Sequence, residues 1–153
     1  MNQAKQPVLI RPLLAQDKAE WRGLWTAYLD FYNTVLPDAI FESSFARMIG
    51  DDPQDYNGLV AVADGRLVGL THYVFHRHGW QMANVCYLQD LYADPSVRGM
   101  GVGRALIEAV YAAADAAGAP RVYWNTQRDN STARQLYDRL ATLTPFVKYT
   151  RFA

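Results

Sequence analysis

The sequence predicts an α/β (α+β) fold, in which helical and strand patterns alternate and an antiparallel meander runs into a glycine-rich loop. Three observations carry the prediction. Residues 85–117 (VCYLQDLYADPSVRGMGVGRALIEAVYAAADAA) pass from an apolar strand through Asp94-Pro95-Ser96 to alternate glycines and a helix. Two stripes of helical period lie upstream, between residues 17 and 49. Between them, two β-rich runs flank Asp64-Gly65, a dipeptide suited to the left-handed positions of a tight hairpin turn.

Taken in order, Val8 to Leu13 reads as a short strand. Asp17 begins a helix that carries Trp21, Leu24, Trp25, Tyr28, Leu29 and Tyr32 on one face and ends before Pro37. Core packing accounts for most of this stripe. Tyr28, Asp30, Tyr32 and Asn33, near the helix end, combine rings with polar tips and are candidates to line an amine pocket. Asp38 to Ile49 is a second, shorter helix, and Asp51 to Asn57 a loop. Leu59–Ala63, Leu67–Phe75 and Met82–Ala93 are the meander strands. His72, His76 and His78 have even spacing and would share a face of an uninterrupted strand, where solvated histidines are a better reading than a metal site. In the helix after the glycines, Val102, Ala105, Leu106, Ala109, Val110 and Ala113 form one apolar face, and Gly118 and Pro120 stop it. Arg121–Thr126 is a strand, Asn130-Ser131 opens a last helix, and Pro145 precedes a final strand candidate, Phe146 to Phe152.

Half the residues are apolar, with ten Tyr and four Trp, which argues against disorder. Fifteen basic residues balance fifteen acidic ones, so neither nucleic acid nor a membrane surface is an expected partner. At 153 residues the chain is expected to form one domain. The single cysteine, Cys86, sits inside a strand and reads as a small buried hydrophobe. No signal core or bilayer-length apolar run is evident, so a cytoplasmic protein is expected.

The glycines carry the chemistry. Gly99, Gly101 and Gly103 let backbone approach a ligand closely. The first-turn N–H groups of the following helix favour an anion there, and Arg98 and Arg104 add charge suited to phosphate oxygens. This is a pyrophosphate cradle. A Walker loop would end in Gly-Lys-Ser/Thr, whereas Gly103 is followed by Arg104-Ala105; a dinucleotide fingerprint would need glycine where Leu106 stands.

Arg98-Gly99-Met100-Gly101-Val102-Gly103 resembles the cofactor motif of the GNAT family of N-acetyltransferases, Arg/Gln-x-x-Gly-x-Gly/Ala after a strand. Asn130, Ala133 and Leu136-Tyr137 resemble the second motif of that family, and Tyr87-Leu88-Gln89-Asp90-Leu91 resembles a strand of its Hpa-type and spermidine/spermine N-acetyltransferase branch. The resemblance implies a GNAT acyl-CoA N-acyltransferase fold over residues 1–153, a mixed, mostly antiparallel sheet flanked by helices. It implies acetyl-CoA as cofactor, held by residues 98–104 (Arg98, Gly99, Met100, Gly101, Val102, Gly103, Arg104), by backbone of Leu91, Tyr92 and Ala93, and by Asn130 and Ala133. It also implies Tyr137 as the acid that protonates the departing thiolate, although periodicity alone assigns Tyr137 to the core.

For the base the resemblance is incomplete. A glutamate precedes the aspartate in the polyamine enzymes, and here Gln89, a neutral amide, takes its place. Asp90 is the remaining candidate, directly, through a water, or as a structural acceptor; Glu42 and His72 are weaker ones. Tyr28, Tyr32 and Gln89 are the expected acceptor contacts. The expected reaction acetylates a primary amine of a small molecule such as a polyamine, amino acid or aminated metabolite. A protein lysine or N-terminus is the runner-up acceptor, and a non-catalytic acyl-CoA sensor the rival class. The branch implies a homodimer, with Phe146 to Phe152 as the expected interface.

Overall fold

A computed structural model describes residues 7–153. Five strands form one sheet in sequence order: β1 (Leu9–Pro12), β2 (Asn57–Ala63), β3 (Arg66–His76), β4 (Val85–Ala93) and β5 (Val122–Tyr123). The first four are antiparallel, and β5 adds parallel to β4. Four α-helices accompany them: α1 (Lys18–Phe31), α2 (Asp38–Ile49), α3 (Val102–Ala116) and α4 (Ser131–Leu140). Parallel pairing of β4 and β5 requires a crossover, and α3 supplies it.

One core lies between the sheet and α1 and α2, built on Trp21, Trp25, Phe41, Phe45, Val60 and Leu70. The other lies under α3, where Val102, Leu106, Ile107 and Val110 meet Val68, Tyr73, Cys86 and Leu88. Asp64 and Gly65 both have positive φ (53° and 70°), the geometry the β2–β3 hairpin requires. Burial pushes the Cys86 thiol up to about 11, consistent with an inert core position.

Two irregularities of register position the site. Between β2 and β3, Ala61 faces Gly69 while Val62 faces Leu67, which leaves Val68 as an extra residue. Gly69 then lies under the start of α3. A Cβ built there would stand 2.9 Å from Val102 Cγ1 and 3.0 Å from the Tyr92 carbonyl, so the missing side chain is what lets α3 approach. Between β3 and β4, His72 faces Asp90 while Tyr73 faces Leu88, so Gln89 is bulged out. Strict alternation would put Leu88 and Asp90 on the same face. The bulge sends Leu88 into the α3 core and Asp90 to the α1 side, opposite His72.

Three expectations need correction. Residues 146–152 form no strand; Phe146, Val147, Tyr149 and Phe152 are exposed on a tail without regular structure. The strand expected over Arg121–Thr126 pairs only at Val122 and Tyr123, because β5 parts from β4 beyond them. The histidines share no solvated face: His72 is 2% exposed, His76 ends β3, and His78 lies in the loop beyond.

Candidate active site

Pairing of β4 with β5 stops at Tyr87 opposite Tyr123. The edge of β4 from Leu88 to Ala93 is therefore free of β5, and an open cleft of about 330 Å³ occupies the gap. Tyr28 and Tyr32 enter it from α1, Gln89 and Leu91 from β4, and Tyr137 from α4, with Trp124, Asn125 and Thr126 along the diverging strand end. Each side chain arrives for a local reason. Tyr28 stands in the last turn of α1 and Tyr32 caps the end of the helix, with ring centroids 5.1 Å apart. Tyr137 packs edge-on to Trp124 at 5.4 Å. Gln89 is exposed because the bulge removes it from both cores.

The tyrosine hydroxyls are held protonated. Burial, with Tyr32 second, pushes Tyr137 up to about 12. Burial and then the facing Asp90 carboxylate push Tyr28 well above the usual phenol range, and Tyr32 rises for the same two reasons.

Asp90 lies behind this wall. It is 7% exposed, and its Oδ2 stands 2.8 Å from His72 Nδ1. His72 Nε2 accepts a 2.9 Å hydrogen bond from Trp21 Nε1. Both His72 nitrogens are thus occupied, as a freely acting base would not be. Glu42 is exposed on α2 and paired with Lys18, and it does not line the cleft. Asp30 and Asn33 are also exposed, and neither lines the cleft.

Residues 98–104 form the loop that opens α3. Gly99 and Gly101 have φ of 77° and 76°, and a Cβ at either would project into open space. Gly101 is the N-cap of α3 and no side chain caps the helix, so its first-turn N–H groups are presented to whatever approaches the loop. Met100 and Val102 turn their side chains into the core and offer only backbone to a ligand. Arg98 is exposed; Arg104 is exposed and bridged to Glu108 at 2.8 Å. Asn130 occupies the N-cap position of α4, but its side chain donates to Thr126 Oγ1 at 3.2 Å and does not cap the helix. Ala133 is half-buried one turn before Leu136 and Tyr137.

Free N–H groups at a helix start, a strand edge without its neighbour and a protonated phenol are groups that a phosphorylated thioester could use. The comparisons with known proteins agree. A family described as acetyltransferase (GNAT) matches residues 20–141. The chain belongs to the GNAT acetyltransferase family. It is 36% identical over 145 residues to D-amino-acid N-acetyltransferase HPA3 of Saccharomyces cerevisiae, spanning 94% of this chain and 90% of that protein. Among solved structures, AAC(6')-Iy in complex with the bisubstrate analog CoA-S-monomethyl-acetylneamine superposes with a TM-score of 0.83 at 22% identity, over 96% of this chain and 99% of that one. A ribosomal-protein-alanine N-acetyltransferase from Brucella melitensis gives 0.76 at 23% identity, over 95% of this chain and all of that one. These two likenesses establish the fold. As a GNAT enzyme the protein is an N-acetyltransferase that uses acetyl-CoA.

Sequence reasoning placed Tyr28, Tyr32, Gln89, Leu91 and Tyr137 in one site, and the fold brings them to one cleft. It missed Trp124, Asn125 and Thr126, which line the cleft only because β5 diverges, and the run RVYWNT carries no mark of that. It also misread His72. A signal was present: Leu70 two residues earlier is a core side chain, and period-2 alternation carries His72 to the same buried face.

Proposed function

We propose that the acceptor is a primary amine of a small molecule, with the amino-acid and polyamine classes foremost, and that the cleft between α1, β4 and α4 is where transfer occurs. The observation that carries this is the convergence of Tyr137, Tyr28, Tyr32 and the free edge of β4 on one cleft. The activity printed for the yeast relative, on D-amino acids, puts amino acids first in the acceptor class.

Acetyl-CoA, bound at residues 98–104 and along β4, supplies the activated acetyl group. The loop's backbone N–H groups and Arg98 hold phosphate, with Arg104 beside them. Backbone groups of Leu91, Tyr92 and Ala93 orient the arm and the carbonyl; a preorganised N–H there stabilises developing negative charge without reorganisation. An alkyl ammonium has a pKa of about 10.4 and must lose a proton before it can attack. Asp90 draws the ammonium toward Tyr28 and Tyr32 and takes up its proton through the Tyr28 hydroxyl or a water. Gln89 contacts the acceptor. Tyr137 Oη, protonated throughout the physiological range, donates to the departing sulfur, and Asn130 and Ala133 line the approach of the arm.

The proposal extends to the rest of the molecule: one catalytic domain over residues 1–153, working in the cytoplasm as a homodimer whose interface includes the tail from Phe146 to Phe152.

The test is thiol release from acetyl-CoA across D- and L-amino acids, spermidine, other small amines and a lysine peptide, with cofactor binding followed by thermal shift. Amine-dependent release with small amines is the expected result; release with the peptide alone overturns the small-molecule reading. Tyr137→Phe should lower kcat by about 10²-fold and leave acetyl-CoA affinity unchanged. Unaltered turnover would remove Tyr137 from the chemistry.

A further inference from the structure

Behind the acceptor wall runs a chain of three buried side chains, one each from α1, β3 and β4. Trp21 Nε1 stands 2.9 Å from His72 Nε2, and His72 Nδ1 stands 2.8 Å from Asp90 Oδ2. Trp21, His72 and Asp90 are 1%, 2% and 7% exposed. The indole N–H can only donate, so Nε2 must accept. The imidazole hydrogen therefore resides on Nδ1, where it is donated to the carboxylate. Charging His72 would set an Nε2–H directly against the indole N–H, so the hydrogen-bond pattern seen here is that of the neutral ring. Flipping the ring does not relieve the conflict, because it would put ring carbons where Nδ1 and Nε2 now meet Asp90 and Trp21 and so lose both hydrogen bonds.

The consequence is a charge left over. Among the described residues, the basic side chain within reach of Asp90 is His72, and in this hydrogen-bond pattern it carries no charge. The other titratable groups facing Asp90 are Tyr28 and Tyr32 of α1. The α2 side chains nearest this network, Phe41 and Phe45, meet Trp21 and Trp25 and carry no charge. A buried carboxylate without a compensating cation is costly, and it sits one side chain behind a cleft lined with tyrosine rings.

We propose that Trp21 and His72 are positioning residues that lock Asp90 as an uncompensated carboxylate, so that the site selects acceptors arriving as ammonium cations. The inference rests on the acetyl-transfer reading of the cleft and on Asp90 as its carboxylate. Trp21 acts through His72, and His72 through Asp90; neither touches the reacting atoms.

The first experiment needs no variant. In ¹⁵N-labelled protein, the His72 ring should show the Nδ1–H tautomer, unchanged between about pH 6 and 8. An Nε2–H tautomer, or protonation within that range, overturns the inference. The second uses Trp21→Phe, which removes the indole donor and frees Nε2 to be protonated. Its kcat/KM for the amine, as a ratio to wild type, should fall about tenfold near pH 6 and recover to within about threefold above pH 8. KM for acetyl-CoA should not change. Adding His72→Asn to Trp21→Phe keeps a donor beside Asp90 but removes the titrating ring, and the acid loss should vanish. A ratio flat with pH in Trp21→Phe overturns the inference, since a purely structural defect would lower activity at every pH. Asp90→Asn separates the two readings. Full turnover in that variant removes Asp90 from the proposed function, whereas its inactivity beside a flat Trp21→Phe ratio defeats the positioning role alone.

Discussion

A phenol under a hydrophobic wall and a glycine at a helix start carry the two residue-level arguments. Burial raises Tyr137 from the ordinary phenol value to about 12, so its neutral form is the one the fold favours. A group raised in this way adds stability that is complete below its unfolded value of about 10 and is lost as pH climbs through the folded one. Tyr137 Oη should therefore remain a donor throughout the enzyme's working range. Rate profiles in saturating amine should show no descending limb between about pH 8 and 10 that Tyr137→Phe abolishes. At the cradle, Gly101 combines a φ of 76° with open space around its missing Cβ. Gly101→Glu adds backbone strain, bulk and a negative charge at the proposed phosphate site. Thermal stabilisation by acetyl-CoA should disappear in this variant, and retained tight binding would refute the cradle assignment.

At the scale of elements, what matters is how closely helices approach the sheet. Gly69 lies 2.9 Å, measured from a built Cβ, beneath Val102 at the start of α3. Gly69→Ala has no room without moving α3, and should cost about 1–3 kcal/mol in chemical denaturation while also weakening acetyl-CoA binding. A stability loss with unchanged cofactor affinity would mean that α3 shifts without disturbing the loop. On the opposite face, Arg11 of β1 grips Asp17 through two hydrogen bonds of 2.7 and 2.9 Å just before α1. The Arg11 hydrogen bond holds the Asp17 carboxyl below the usual carboxylate range. A lowered carboxyl adds stability above its unfolded value of about 3.9, and that stability fades as pH falls through the folded one. Asp17→Asn should thus destabilise by roughly 1–3 kcal/mol at neutral pH, with the gap to wild type closing in strong acid. A pH-independent difference would assign the loss to packing.

For the whole molecule, the tail is the open surface. Leu143, Phe146, Val147, Tyr149 and Phe152 are between 65% and 93% exposed on one segment. Such a run of large apolar side chains invites a partner surface, and a second copy is the partner proposed. Truncation after Ala141 should halve the mass measured by sedimentation; an unchanged mass would place the interface elsewhere. The tail also marks a limit of pattern reading. Its residues have strand composition, but a strand needs a neighbour to satisfy its backbone, and residues 146–152 find none among the described residues. Where structure depends on neighbours in sequence, the residues alone decided it: the periods of α1 to α4, the Asp64-Gly65 hairpin, and the glycine loop that opens α3. The same holds for the candidacy of Tyr137, Tyr28 and Tyr32, which motif and helical spacing bring forward. Where structure depends on register between distant strands, only the tertiary fold decided it. A single bulge at Gln89 turns Asp90 away from the cleft wall and into contact with His72, and the parting of β5 from β4 after Tyr87 opens the cleft. Neither leaves a local trace, because one extra residue in a ladder is defined only by the strand that lies opposite it.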